Sequence, residues 1–185
     1  MQNIFYKHLQ PFLLLACGII LAQSVSHAQK YNFVNYNVEN GLPQSQVYSI
    51  TQDKNNELWI GTLAGAARFD GNNFINYNKS KGLPGNLITA LQADSSGNIW
   101  IGTNYGFTFY NGVKFSNYKV EGKHTQISLS QIASDKQNKV WATADLKLYY
   151  FDGKQFKLRN DIDSVFNIVK AADGSIIATT LRNGI

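Results

Sequence analysis

An all-β architecture of repeated four-stranded units is what this sequence predicts, and three observations predict it. "NELWIGT" at 56–62 returns as "GNIWIGT" at 97–103 and as "NKVWATA" at 138–144, a fixed step of 41 residues. Short runs of alternating and β-branched residues are separated by Asn, Asp and Gly pairs, and no helical periodicity of useful length survives after residue 28. Aromatic residues make up 13% of the chain, mostly Tyr and Phe, which favour strands.

The period extends to many columns. "GLP" stands at Gly41–Pro43 and Gly82–Pro84, and an aspartate precedes each tryptophan by six positions, at Asp53, Asp94 and Asp135. An aromatic-Asx-Gly triplet follows each tryptophan by ten positions, beginning at Phe69, Tyr110 and Phe151. Phe74, Phe115 and Phe156 keep the same step, as does Phe33 one period upstream. A fourth, shorter unit is "DGSIIATT" at 173–180, with Ile177 in the tryptophan position.

Each unit reads as four strands in order. The first is "QVYSITQD" (46–53), matched by 86–94 and 126–135. Two-residue turns follow at Asn55-Asn56, Ser96-Gly97, Gln137-Asn138 and Asp173-Gly174, residue types that accept positive φ. The second strand carries the tryptophan and then small residues, which let neighbouring backbones approach. The third ends at Asp70-Gly71 or its equivalent, and the fourth is "NFINYN" (73–78) or "KFSNYK" (114–119).

Four antiparallel strands per 41 residues form a β-propeller blade. Trp59, Trp100 and Trp141, with Phe74, Phe115 and Phe156, are then the repeated core that wedges between blades. The expected organisation is a signal peptide over 1–28 and a partial propeller over 29–185. Within the propeller, residues 31–40 form a closing strand, 41–81, 82–123 and 124–161 are blades, and 162–185 is an incomplete blade. About 3.8 periods are present, so the chain reads as the N-terminal part of a larger propeller.

The first 28 residues carry one charged residue, Lys7, ahead of the apolar run Phe12–Ala22, with Ser26 and Ala28 where a signal peptidase reads small residues. Cleavage is expected between Ala28 and Gln29. Cys17, the single cysteine, lies in this segment. "LLAC" is like a lipoprotein box, but the apolar run continues beyond it, which favours ordinary processing. The mature chain therefore offers no disulfide, thiolate nucleophile or cysteine-bound metal. Removing Lys7 takes the formal charge from +5 to +4, and the remaining cations are scattered, so no nucleic-acid face is expected.

"GLPQSQVYSITQDKNNELWIGTLAGAARFDGNNFINY" and "GLPGNLITALQADSSGNIWIGTNYGFTFYNGVKFSNY" resemble the two-component regulator propeller repeat. The resemblance covers roughly 31–185. The third unit departs from it, lacking "GLP", with Ala142-Thr143 for Ile-Gly and Lys147 where Gly65 and Gly106 sit. The resemblance implies a periplasmic sensor region of a hybrid two-component histidine kinase of Bacteroidota type, responding to oligosaccharide or another small ligand. It also implies a membrane tether and kinase downstream, further blades, and a homodimer.

Chemistry within the segment is sparse. His124 stands alone between the second and third units and reads as a surface residue. The aspartate column, with a faint calcium-loop echo in "DKNNE" at 53–57, reads as turn capping because it repeats with the blades. No catalytic residue, metal site or cofactor is expected. Asn104 and Tyr105, where the repeat changes from Leu63-Ala64, and Arg68, where its equivalents are Phe109 and Tyr150, are the candidate ligand contacts. Two other functions fit the same fold: a secreted or surface scaffold for protein–protein contacts, and a propeller enzyme acting on polysaccharide with its catalytic groups in other blades.

Overall fold

The computed structural model describes residues 33–122 and 126–181. They form three four-stranded antiparallel sheets and a two-stranded one, each strand paired to the next in sequence. The first sheet holds β1 (Val47–Gln52), β2 (Leu58–Thr62), β3 (Gly65–Phe69) and β4 (Phe74–Tyr77). The second holds β5 (Ile88–Ala93), β6 (Ile99–Thr103), β7 (Gly106–Tyr110) and β8 (Phe115–Tyr118). The third holds β9 (Leu129–Ser134), β10 (Val140–Ala144), β11 (Lys147–Phe151) and β12 (Phe156–Leu158). β13 (Val165–Lys170) and β14 (Ile176–Thr180) form the last. The first strands adjoin in series, β1 beside β5, β5 beside β9 and β9 beside β13, which is the inner-strand arrangement of propeller blades.

The tryptophans do the wedging. Trp59 is fully buried in a cluster made largely by the second blade, with Leu83, Ile88, Ile99, Ile101 and Tyr110. Its ring stacks on Tyr77 at 5.4 Å and meets Tyr110 at 5.2 Å. Trp100 repeats this one blade on, 5.0 Å from Phe151 and 5.8 Å from Phe156. Small residues at the narrow end are required sterically. A Cβ at Gly61 would lie 2.8 Å from Ile88 Cγ2.

The aspartate column caps the first hairpin of each full blade. Asp53 Oδ1 accepts the amides of Asn55 (2.8 Å) and Glu57 (3.1 Å), and Oδ2 accepts the Trp59 indole N–H (3.0 Å). Asp135 does the same with Gln137, Lys139 and Trp141. Asp94 accepts from the Ser96 and Asn98 amides, and its other oxygen takes the Asn98 side chain. These hairpins have three-residue loops rather than the expected two. The Asp53 amide pairs with the Glu57 carbonyl, the Asn56 amide with the Asp53 carbonyl, and Asn56 sits at φ 63°. The side-chain cap stabilises the extra residue.

Two segments depart from the strand and turn pattern of the repeat. Within the segment 31–40, where a closing strand is expected, the described residues 33–40 form no strand with the rest of the described residues. Residues 33–37 are irregular and Val38–Asn40 is a 3-10 turn capped by Asn37, whose side chain accepts the Glu39 and Asn40 amides. The equivalent β4 has β3 as its partner, and no described strand pairs with this segment. Lys147 also changes its turn. The β2–β3 and β6–β7 turns close on Gly65 and Gly106 at φ 142° and 137°, whereas the third blade turns on Asp145 (φ 49°) and Leu146 (φ 59°). Two consecutive positive φ values suit a two-residue hairpin and release the next position from glycine.

The signal segment, Ala28, Gln29, Cys17 and His124 lie outside the described residues. Among the described residues no helix is long and apolar enough to cross a membrane.

Candidate functional site

The inner strands share an irregularity. The β1–β2 register shifts between Val47 and Ser49, β5–β6 between Ile88 and Ala90, and β13–β14 between Val165 and Asn167. The β9–β10 ladder shifts at the same level. Each bulge twists the strand end and re-aims one side chain, Tyr48, Thr89 or Phe166 in the three blades where it is described. Bulges of this kind leave polar atoms behind. Ser49 Oγ, Thr89 Oγ1 and Asn167 Oδ1 are buried without a hydrogen-bond partner in the protein.

Asn104 opens the β6–β7 turn at the same end of the second blade. Its amide donates to the Leu87 carbonyl (3.3 Å), and its carbonyl accepts the Ile127 amide (2.9 Å). Ser128 is held in turn by Asp145: its amide donates to Asp145 Oδ1 (2.8 Å), and its carbonyl accepts the Asp145 amide (2.9 Å). These bonds tie the second-blade turn, the segment entering the third blade and the third-blade turn into one fixed rim. The rim borders an open pocket of about 390 Å3 lined by Leu87, Thr89, Asn104, Gln126, Ile127, Ser128 and Asp145. Asn104 Oδ1 is itself buried and unpartnered.

The three candidate residues are not brought together. Asn104 lines the cavity. Tyr105, its neighbour, is half-exposed and leans back over the preceding connection, with Lys79 Nζ 6.0 Å from its ring centroid. Arg68 lies near the opposite end of its sheet, on the rung between Trp59 and Ile75, with Nε 3.5 Å from Glu57. Its environment is that of a structural cation in the first blade. Sequence reasoning missed Thr89, Ser128 and Asp145. Asp145 had a signal, since it stands where Asn104 and Leu63 stand in the earlier blades and all three differ.

A second cavity, of about 290 Å3, lies beside Trp141 at the capped-hairpin end, with Asp135, Arg159, Ile162 and Ser175 among its lining. Burial works against ionisation of Asp135. The Trp141 indole and the Lys139 and Gln137 amides outweigh it and hold the carboxyl below its ordinary value of 3.8. No group of three His, Cys, Asp or Glu that could hold a metal ion occurs among the described residues. What the rim and its pocket offer is hydrogen bonding from fixed main-chain and side-chain groups, with Asp145 the one carboxylate among the described lining residues.

The model of the two component regulator propeller family matches residues 41–64 and 82–105. Among solved structures, the extracellular domain assigned to the hybrid two component system BT3049 of B. thetaiotaomicron superposes with a TM-score of 0.68 at 23% identity. The likeness covers 82% of this chain and 23% of that one. The corresponding BT4673 domain gives 0.63 at 19% identity, covering 74% of this chain and 20% of its own. Virginiamycin B lyase from Staphylococcus aureus gives 0.53 at 12% identity, covering 74% and 56%. The chain thus spans about a fifth to a quarter of the first two domains, and these likenesses show the propeller fold. A search of curated protein sequences returns no match.

Proposed function

We propose that this chain, whose residues 41–64 and 82–105 match the two component regulator propeller model, is part of the extracytoplasmic sensor of a two-component system. The repeat match carries the reading, and the likeness to extracellular domains of hybrid systems supports it. The proposed signal is an oligosaccharide or another small extracellular ligand. Its binding would favour one arrangement of a homodimer over another, a population shift passed through a membrane tether to a histidine kinase in the same protein. Export through the signal peptide and further blades of the same chain belong to this proposal.

Deleting the gene and recording transcription during growth on a panel of glycans tests it. The expected result is loss of induction of one set of genes by one glycan, restored by complementation. Induction that survives deletion on every glycan, with the protein absent from the membrane fraction, would overturn it. Likeness to a lyase favours a second reading, a propeller enzyme. Turnover of a polysaccharide by the purified protein would carry that reading instead.

A further inference from the structure

We propose that Asn111, in the β7–β8 hairpin of the second blade, is a site of spontaneous covalent modification, losing its side-chain amide as ammonia through a succinimide formed with Gly112. The inference is independent of the sensor reading.

Asparagine followed by glycine is the pair in which this ring closes most easily, because glycine puts no Cβ in its way. Two such pairs lie among the described residues, Asn40-Gly41 and Asn111-Gly112, and the structure separates them. The reaction needs the glycine amide to give up its proton and attack. The Gly41 N–H donates to the Val38 carbonyl (3.1 Å), and a Cβ there would meet the Phe74 ring at 3.3 Å. The Asn40 side chain is engaged as well, with Oδ1 accepting the Asn37 amide (2.9 Å). Gly112, at φ 92°, has open space where a Cβ would stand, and its N–H has no acceptor among the described residues. Both Asn111 and Gly112 are exposed, so water reaches them.

The loop also activates the electrophile. Asn111 Oδ1 accepts the amides of Val113 (3.0 Å) and Lys114 (2.9 Å). Negative charge develops on this oxygen as Gly112 N adds to Asn111 Cγ, and two fixed donors already point at it, the arrangement of an oxyanion hole. The N–Cγ bond forms, the Cγ–Nδ2 bond breaks, and ammonia departs with the Gly112 proton relayed through water. Water then opens the ring. Addition at Cγ leaves aspartate on a normal main chain. Addition at the Asn111 main-chain carbonyl leaves isoaspartate, whose main chain runs through Cγ and is one atom longer.

The neighbouring blades show what the first product does. Asp70 and Asp152 occupy this column, and each Oδ1 accepts the same pair of amides, from Asn72 and Asn73 or from Lys154 and Gln155. Aspartate at 111 keeps the hairpin and adds a negative charge. Isoaspartate does not keep it. The Gly112 carbonyl accepts the Tyr110 hydroxyl (2.8 Å), and the Tyr110 ring lies 5.2 Å from Trp59. A longer main chain at 111 displaces that acceptor, so a change in an exposed loop reaches the wedge between the first two blades.

The test is incubation of the whole protein in mildly alkaline buffer, then tryptic mapping with fragmentation that distinguishes isoaspartate from aspartate. Trypsin places Asn40 on the peptide 31–54 and Asn111 on 82–114. Asn111 should convert about tenfold faster than Asn40 in the folded protein, and the two rates should converge in concentrated guanidinium chloride. Gly112→Ala should slow conversion about tenfold. Its positive φ strains alanine, so Asn111→Asp serves as a second variant. That variant should coincide with the aged aspartate form on ion exchange and keep the wild-type Tm, while the isolated isoaspartate form melts lower. Asn40 converting as fast as Asn111 in the folded protein, Asn111 staying intact while the denatured sample converts, or an isoaspartate form as stable as wild type would overturn the proposal.

Discussion

Asp53 satisfies three hydrogen-bond donors with one carboxylate, and the third is the indole of a tryptophan with no solvent exposure. The hairpin loop and the wedge between blades are therefore joined through a single side chain. Asp53→Ala strands a buried N–H and two loop amides, so a loss of about 1–3 kcal/mol is expected from urea denaturation. Asp135 adds a pH dependence. Its folded pKa lies below its ordinary value of 3.8, so the ionised form is the one that stabilises. That contribution is present in full above the ordinary value and disappears as pH falls through the lower, folded value. The stability gap between wild type and Asp135→Asn should be widest near neutrality and close below pH 3.8. A gap unchanged across acid titration, followed by urea midpoint, would show that the carboxylate bonds do not form. The fourth unit shows the same logic by another route. Ala171 stands in the aspartate position, and Asp173 caps its loop through the Ser175 amide and hydroxyl.

The turns between second and third strands show how an element tolerates a broken repeat. Gly106 sits at φ 137°, and a Cβ there would lie 2.8 Å from the Tyr118 carbonyl oxygen. A Cβ at Gly65 would collide with the equivalent Tyr77 carbonyl. Gly106→Lys, which copies the third blade, should therefore destabilise by about 1–3 kcal/mol. Lys147→Gly should cost at most about 1 kcal/mol, because Asp145 and Leu146 already make that turn. Equal effects of the two substitutions in thermal denaturation would refute this account. Strand order and the hairpin positions were legible in the sequence because tryptophan, aspartate and aromatic-Asx-Gly columns each mark a fixed point of the blade. The three-residue loops were not, since Asn and Gly accept positive φ in either hairpin type. Nor was the link between the second and third blades. There Val120 replaces the "GLP" pattern by bridging to Phe156, while Glu121 accepts the Leu158 amide.

At the scale of the molecule, the strand contacts between blades among the described residues join neighbours in sequence. The hairpin ends are stitched across each junction, by Lys54 to the Ser96 carbonyl (3.3 Å), Ser95 to Asn138 (2.7 Å) and the Lys136 amide to the Gly174 carbonyl (2.9 Å). The sequence showed Asn104 as a departure from its column. It did not show Thr89, whose exposure to the cavity comes from a bulge that leaves no mark in residue type. Stability in such a series is a sum of blade terms and nearest-neighbour interfaces. Trp59 belongs to the interface of the first and second blades, and removing most of its ring as Trp59→Leu should cost several kcal/mol, about 3–5 at the extreme of full truncation. The loss should be local. Hydrogen exchange is expected to accelerate across β1–β8, while the amides of β10 and β11 keep their protection, because their core is built on Trp100, Tyr149 and Phe156 instead. Acceleration spread evenly to β10 and β11 would mean that the blades unfold as one cooperative unit.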